Sequence, residues 1–317
     1  MDEDAILSDV EGEEEAHQEE VGGDEKVQVC QLTQETIGQG LSLLCRTGNG
    51  LGHAFIKLDL KDKGLTDIAA ISSYIHIRFL DLSSNHLSDL SPLASLTQLL
   101  WLKVDNNAVA CFKGQPFAQL TYLQWLSVAV NQLTDLDGLV GPALESLSLT
   151  GNSIQRVSGL QSGCFANLVT LELRGNHLDT TNGINLPNLQ RLYLAQNVIK
   201  HLEGLERLER LTTLHLRDNQ LNTLDGLSPN MKCLQYLNVR GNDLDKNALQ
   251  CLRLVSKTLQ VLVISENPLV ESTDYRLSVL VVLPQLERLD KDTVSPDERA
   301  EAQERIKELR EEEISDP

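Results

Sequence analysis

Aromatic side chains are scarce in this chain: phenylalanine, tyrosine and tryptophan make up 4% of 317 residues, and only two are tryptophans. An interior without rings must be filled by aliphatic side chains, and leucine dominates the apolar fraction. The six cysteines (Cys30, Cys45, Cys111, Cys164, Cys233, Cys251) are scattered, with no C-x-x-C pair, which argues against a disulfide framework or a zinc knuckle. Long apolar runs are missing too. The longest, around Val279–Leu283, falls far short of the ~20 residues a membrane-spanning helix needs. No basic start leads into an apolar stretch as a secretory leader would, and no Asn-x-Ser/Thr acceptor occurs. These absences read as a reduced, intracellular, soluble protein of the cytoplasm or cytoskeleton.

Positive charge is absent from residues 1–25, which carry twelve acids and no Lys or Arg, while residues 295–317 carry nine acids and four bases. Removing those two segments from the formal net charge of −19 leaves about −2 for the body between them. A nearly neutral body argues against a phosphate-backbone binder, so no nucleic-acid partner is expected.

Catalytic patterns are also missing. The seven histidines (His17, His53, His76, His86, His177, His201, His215) form no H-E-x-x-H and no zinc spacing. Neither a G-x-S-x-G elbow nor a G-x-x-x-x-G-K-[ST] loop is present. Gly48-Asn49-Gly50-Leu51-Gly52 is glycine-rich, but it reads as following a helix and preceding a strand, the reverse of a phosphate-binding order. The chain is therefore expected to be non-catalytic, with no cofactor, no metal, no small-molecule substrate and no membrane partner.

What the sequence does contain is one phrase repeated. Leu192-Tyr193-Leu194-Ala195-Gln196-Asn197 is an L-x-L-x-x-N unit, and it returns to end at Asn85, Asn107, Asn131, Asn152, Asn176, Asn219, Asn242 and Asn267; a degenerate first copy has Lys63 in place of asparagine. Successive copies end 21 to 25 residues apart, the period and pattern of leucine-rich repeats. Each unit buries its apolar face only on its neighbours, so ten copies make one quasi-linear domain. The expected fold is an α/β leucine-rich-repeat solenoid: a curved horseshoe with a parallel concave sheet and short 3₁₀ or helical convex segments. In each strand the leucines point inward and the residues between them outward. The asparagines are expected to satisfy backbone groups of adjacent coils. Gly138, Gly159, Gly183, Gly204 and Gly226, each before an inward Leu or Ile, suggest tight turns into the convex segment. The longer stretches Cys111–Phe117 and Leu160–Ala166 are expected to bulge from the convex face.

The chain then divides as residues 1–30, a disordered acidic arm; 31–56, a capping helix and lead-in; 57–267, the repeats; 268–294, a C-terminal cap; and 295–317, a charged helical tail. Thr33 is the expected N-cap of a helix running to about Arg46, with Ile37, Leu41 and Leu44 on one face. Ser295-Pro296-Asp297-Glu298 reads as a capping box with proline at the first helical position, opening a helix to about Glu312. Ala302, Ile306 and Leu309 give that helix only a thin apolar stripe; it either projects into solvent or docks on a partner.

Outward positions of the concave face single out candidate binding residues. The residue before the first leucine of each strand is Phe79, Trp101 and Trp125 in three consecutive coils, and further along Arg191 and Tyr236. Across the strand come Tyr193 and His215, and beyond the second leucine Arg174, Arg217 and Arg240. The face thus reads as aromatic toward its N-terminal half and basic toward its C-terminal half. Exposed Trp, Tyr and Arg dominate interface energetics; the competing reading is that the rings pack across strands and stiffen the sheet.

Several non-repeat words carry a more specific resemblance: Gly40-Leu41-Ser42-Leu43-Leu44-Cys45-Arg46-Thr47-Gly48-Asn49-Gly50-Leu51, Ser73-Tyr74-Ile75-His76-Ile77-Arg78, Gly183-Ile184-Asn185-Leu186-Pro187 and Glu287-Arg288-Leu289-Asp290-Lys291. From Gly40 to Lys291 the chain resembles the radial-spoke leucine-rich-repeat proteins of motile cilia and sperm flagella. The resemblance implies a structural part of the axoneme whose partners are radial-spoke stalk and head proteins, supporting spoke-head assembly and motility. A regulatory or targeting subunit of a phosphatase or axonemal motor is the alternative.

Overall fold

The computed structural model of the chain describes residues 28–48, 50–160 and 163–315. The acidic arm read over residues 1–30 therefore lies outside the described residues except for its last three. Thirteen strands form one sheet in sequential order. The first, β1 (Leu41–Arg46), pairs antiparallel with β2 (His53–Asp59). Nine three-residue strands follow, β3 (Phe79–Asp81) through β11 (Val261–Val263), all parallel. The sheet ends with β12 (Arg288–Leu289), parallel to β11, and β13 (Asp292–Thr293), antiparallel to β12. The sheet stays open, as a leucine-rich-repeat horseshoe requires.

Sequence spacing sets the register. From β3 to β11 each strand starts one residue before its first leucine, so the column Lys57, Phe79, Trp101, Trp125, Ser146, Thr170, Arg191, Thr213, Tyr236, Val261 runs straight across the sheet from β2 onward. The leucines between the outward residues, among them Leu58, Leu80, Leu102, Leu147 and Leu262, are fully buried. Differences in repeat length are absorbed on the far side of each coil. The coils ending at Asn131 and Asn176 are 24 residues long, and the aromatic residues of their longer stretches go inward and not onto the convex surface. Phe112 and Phe117 turn inward and meet edge to face at 5.3 Å, and Phe165 is likewise buried. A wider coil encloses more space, and a ring fills it where a leucine would leave a void.

The asparagines form a ladder. Asn85 Oδ1 accepts from Leu65 N–H at 2.9 Å, while its Nδ2 donates to Leu60 O at 3.0 Å in the preceding coil and to Leu82 O at 2.8 Å in its own. The same set recurs at Asn176, where Oδ1 accepts from Ile154 N–H and Nδ2 donates to Leu149 O and Leu173 O, and at Asn267. These are buried backbone groups that no strand or helix would otherwise satisfy. Lys63 stands outside the ladder, its N–H accepted by Asn85. Asp290 ends it, accepting from Ile264 and Ser265 N–H groups at 2.8 Å each.

The residue before each ladder position turns the corner in the left-handed region, with φ from 52° at Val130 to 67° at Gly151. Only three of these ten positions hold glycine (Gly151, Gly175, Gly241); the others include Ser84, Asn106, Gln196 and Asp218. On the convex side the expected glycine turns have φ of 92° at Gly138, 94° at Gly183 and 74° at Gly204, whereas Gly226 is not left-handed. At Gly183 a Cβ would lie 2.0 Å from Val157 O, so backbone approach as well as conformation requires glycine there. Gly204 leads directly into a 3₁₀ turn, Leu205–Arg207.

Both ends of the array depart from expectation. Thr33 does cap a helix, accepting from Thr36 N–H at 3.2 Å, but α1 spans only Gln34–Gly40. Ile37 is its buried residue, whereas Leu41 and Leu44 belong to β1 and Leu44 is exposed. Gly38 and Gly40 weaken the helix, and a Cβ at Gly40 would meet Asp59 O at 2.2 Å, where the chain crosses β2. The glycine-rich stretch after Arg46 is thus a hairpin turn; Asn49 within it lies outside the described residues. At the other end, past a short helix α2 (Ala248–Leu252), α3 (Tyr275–Val282) packs against α4 (Pro296–Ser315). The capping box is present, Ser295 Oγ accepting from Glu298 N–H at 3.2 Å and Glu298 Oε2 from Ser295 N–H at 2.9 Å. The first half of α4 does not project. Ala302 is buried, and Arg299 donates to Pro284 O at 2.7 Å and Leu286 O at 3.0 Å.

Candidate protein-binding surface

The concave face carries the candidate residues because a period of two leaves every alternate strand side chain without a core to enter. Phe79, Trp101 and Trp125 are cross-strand neighbours in three consecutive strands. The two indoles stack with centroids 4.6 Å apart and planes 7° from parallel. All three are half-buried, each leaving part of a ring at the surface. Their polar surroundings include the Lys103–Asp105 ion pair at 3.5 Å, with Asp105 also accepting from Ala129 N–H at 2.9 Å.

Farther along, a second aromatic row runs diagonally. His215 lies between Tyr193 and Tyr236, with centroids 4.8 Å from each. Tyr193 and His215 are half-buried, but Tyr236 is buried, and that burial pushes its phenol up from the ordinary value of 10.0. Tyr236 is the base of the row, so less of it is open to a partner than its position suggested. A shallow hollow of about 370 Å³ opens beside this row, lined by Glu172, Arg174, Tyr193, His215, Arg217 and Asp218 among others.

The expected basic half is corrected. Arg217 Nε meets Asp218 at 3.1 Å, and Arg240 meets Glu266 at 2.5 Å. Arg240 holds the Glu266 carboxyl below its usual value, and Glu266 raises the Arg240 guanidinium in turn. Arg174 and Arg191 rest on neutral partners, Gln196 at 3.0 Å and Thr170 Oγ1 at 3.0 Å, and are exposed. Cationic character therefore concentrates at Arg174 and Arg191. The missed residues, Asp218 and Glu266, occupy the left-handed corner just before a ladder asparagine. Arg217-Asp218-Asn219 spelled out one such pairing in the sequence.

A second concavity of about 720 Å³ lies across three coils on the other side of the ladder, between Arg156, Asp179, Thr180, Lys200, His201 and Glu203. Thr180 Oγ1 donates to Glu203 at 2.8 Å, and the buried Thr181 hydroxyl both donates to Glu203 O and accepts its N–H. Neighbouring coils use up these groups in bonding to one another. Cys251 donates its thiol to Asp225 at 3.1 Å, and burial with this carboxylate pushes it up, which opposes thiolate formation. Among the described residues no group of three or more His, Cys, Asp or Glu comes together to hold a metal ion, and no helix is long and apolar enough to cross a membrane.

Sequence-family models described as "Leucine-rich repeat" and "Leucine Rich Repeat" match residues 167–317 and 76–96 respectively. Leucine-rich repeat-containing protein 23 of Bos taurus is 51% identical over 274 residues, covering 86% of this chain and 79% of the relative. The chain belongs to the leucine-rich repeat-containing protein 23 family. The Homo sapiens member is 49% identical over 286 residues, spanning 89% of this chain and 82% of its own. Among solved structures, an internalin of Listeria monocytogenes superposes with a TM-score of 0.62 at 26% identity, over 75% of this chain and 68% of that one. A leucine-rich-repeat protein of Leptospira interrogans gives 0.56 at 24% identity over 78% of this chain and 76% of its own, a likeness of fold alone. As a member of the leucine-rich repeat-containing protein 23 family, the chain is a protein-interaction scaffold: a stiff sheet presenting a wide face of fixed side chains.

Proposed function

We propose that this scaffold works in the axoneme of cilia or flagella, as a radial-spoke component that binds other spoke proteins through its repeat surface and supports spoke-head assembly and motility. Support comes from the family membership together with the resemblance that extends over non-repeat words from Gly40 to Lys291. The observation that carries the binding role is the Phe79–Trp101–Trp125 column, half-buried rings held side by side on a face that the described residues leave partly open. Clustered rings on a rigid platform supply contact area with little conformational entropy to lose.

Localisation in ciliated cells or sperm, followed by stepwise salt extraction of demembranated axonemes, tests the assignment. The expected result is a pool that resists detergent and leaves the axoneme with the spokes. Recovery in the soluble fraction, bound to a phosphatase catalytic subunit, would instead establish a regulatory subunit.

A further inference from the structure

The two edges of the sheet are finished differently. At the C-terminal edge β13 is two residues long and begins on Asp292, the short, charged finish that discourages further pairing. At the N-terminal edge β1 is six residues long and exposed along nearly its whole length. Leu43 and Leu44 are 56% and 57% exposed, and Phe55, which pairs with Leu44, is 42% exposed. The hairpin also outruns the body, since β2 pairs with β3 only through Lys57–Asp59. Among the described residues no strand lies beyond β1.

Leu43 turns the chain at φ 55° and is skipped in the register with β2, and the stretch after it, Leu44–Arg46, is the part of this edge set for pairing. Thr47 N–H donates to Gly52 O at 2.9 Å, closing the hairpin. Antiparallel alternation then directs the amides and carbonyls of Arg46 and Leu44 outward. Their side chains share one face with His53, Phe55 and Lys57. Charge narrows the choice of occupant. Residues 36–58 contain no Asp or Glu but do contain Arg46, His53 and Lys57, in a chain whose net charge is −19. Two copies joined through β1 would face these cations toward each other with no carboxylate between them, which disfavours self-pairing.

We propose that β1 is a strand-addition site for an extended segment of a protein partner. That segment would place an apolar side chain against Leu44 and Phe55 and carboxylates two residues to either side, against Arg46 and Lys57. Main-chain pairing supplies the bond, and the flanking acids supply sign selectivity. This edge adjoins the concave rings at Lys57, the cross-strand neighbour of Phe79, and does not depend on the axonemal assignment.

Fluorescence anisotropy of the full chain with the labelled nonapeptide S-T-E-V-I-V-E-T-S, against its counterpart with lysine at both glutamates, tests the site. The acidic peptide is expected to bind at least about tenfold more tightly than the basic one, with affinity falling as salt rises. Leu44→Glu and Arg46→Glu should each weaken it about tenfold with unchanged melting, since both side chains are exposed; Leu44→Thr serves in place of Leu44→Glu if that variant melts early. Hydrogen exchange at residues 44 and 46 should slow in the complex. Equal binding of the two peptides, or protection elsewhere without protection at β1, overturns the proposal. So does a concentration-dependent dimer that Leu44→Glu abolishes, because the occupant would then be a second copy.

Discussion

Trp101 and Trp125 lie face to face on neighbouring strands, 4.6 Å between centroids and 7° from parallel. Stacking of this kind contributes about 0.5–1.5 kcal/mol beyond burial, so the pair stiffens the sheet and still offers a partner one wide apolar plate. Replacing both with alanine separates the two roles. The double variant should fold, with a melting temperature a few degrees lower, and its co-sedimentation with salt-stripped axonemes should weaken about tenfold or more. Lower stability with undiminished co-sedimentation would mean that the rings serve the sheet alone.

Asn176 joins the backbones of two coils through Ile154 N–H, Leu149 O and Leu173 O. Asn176→Ala strands those groups in the interior and should cost about 1–3 kcal/mol in urea unfolding. Lys63→Ala, at the equivalent point of a coil that never had the amide, should change stability by less than about 0.5 kcal/mol.

Val130 is a β-branched residue at φ 52°, 54% exposed, in the corner that neighbouring coils give to Asn106 and Gly151. Its Cγ2 stands 3.3 Å from where a Cβ on Gly151 would be. Left-handed backbone is costly for such a side chain. Val130→Asn should therefore raise stability by about 0.5–1 kcal/mol, read as a higher denaturation midpoint with unchanged slope.

Glu298 accepts from Arg276 Nε at 2.7 Å and from Ser295 N–H, and together they lower its carboxyl from 4.5 to about 2. Because the folded value lies below the unfolded one, this contribution is complete above about pH 4.5 and is lost as pH falls toward 2. The seating of α4 against α3 should loosen in that window, seen as faster amide exchange in residues 299–306. Glu298→Gln should already be loosened at neutral pH and show a flatter acid profile.

Legibility in the sequence followed the physics of each element. The L-x-L-x-x-N spacing placed every strand from Leu58 to Leu262 and the whole outward column, because a period of two leaves no choice of face. The β1 hairpin was not legible: Leu41 and Leu44 suit one face of a helix as well as positions on a strand, and contact with β2 decided between them. The destination of Phe112 and Phe117 is not legible from coil length alone, since extra residues can spill outward or carry rings into the interior, and here both rings are buried against each other. At the candidate site the rings were read in place. The neutralising carboxylates Asp218 and Glu266 were missed, since a residue at a turn was not counted as facing the sheet.

Because the amide ladder runs from coil to coil, perpendicular to the strands, a load applied along the solenoid passes through its side-chain rungs one after another. Rungs in series all bear the same tension, so the weakest joint yields first. That joint lies ahead of the first coil, where Lys63 offers no side-chain amide to the cap before it, whereas Asn85 ties the first two coils together as fully as any later rung. Pulled from its two ends, the molecule should shed its amino-terminal cap while the coils from Asn85 onward stay wound.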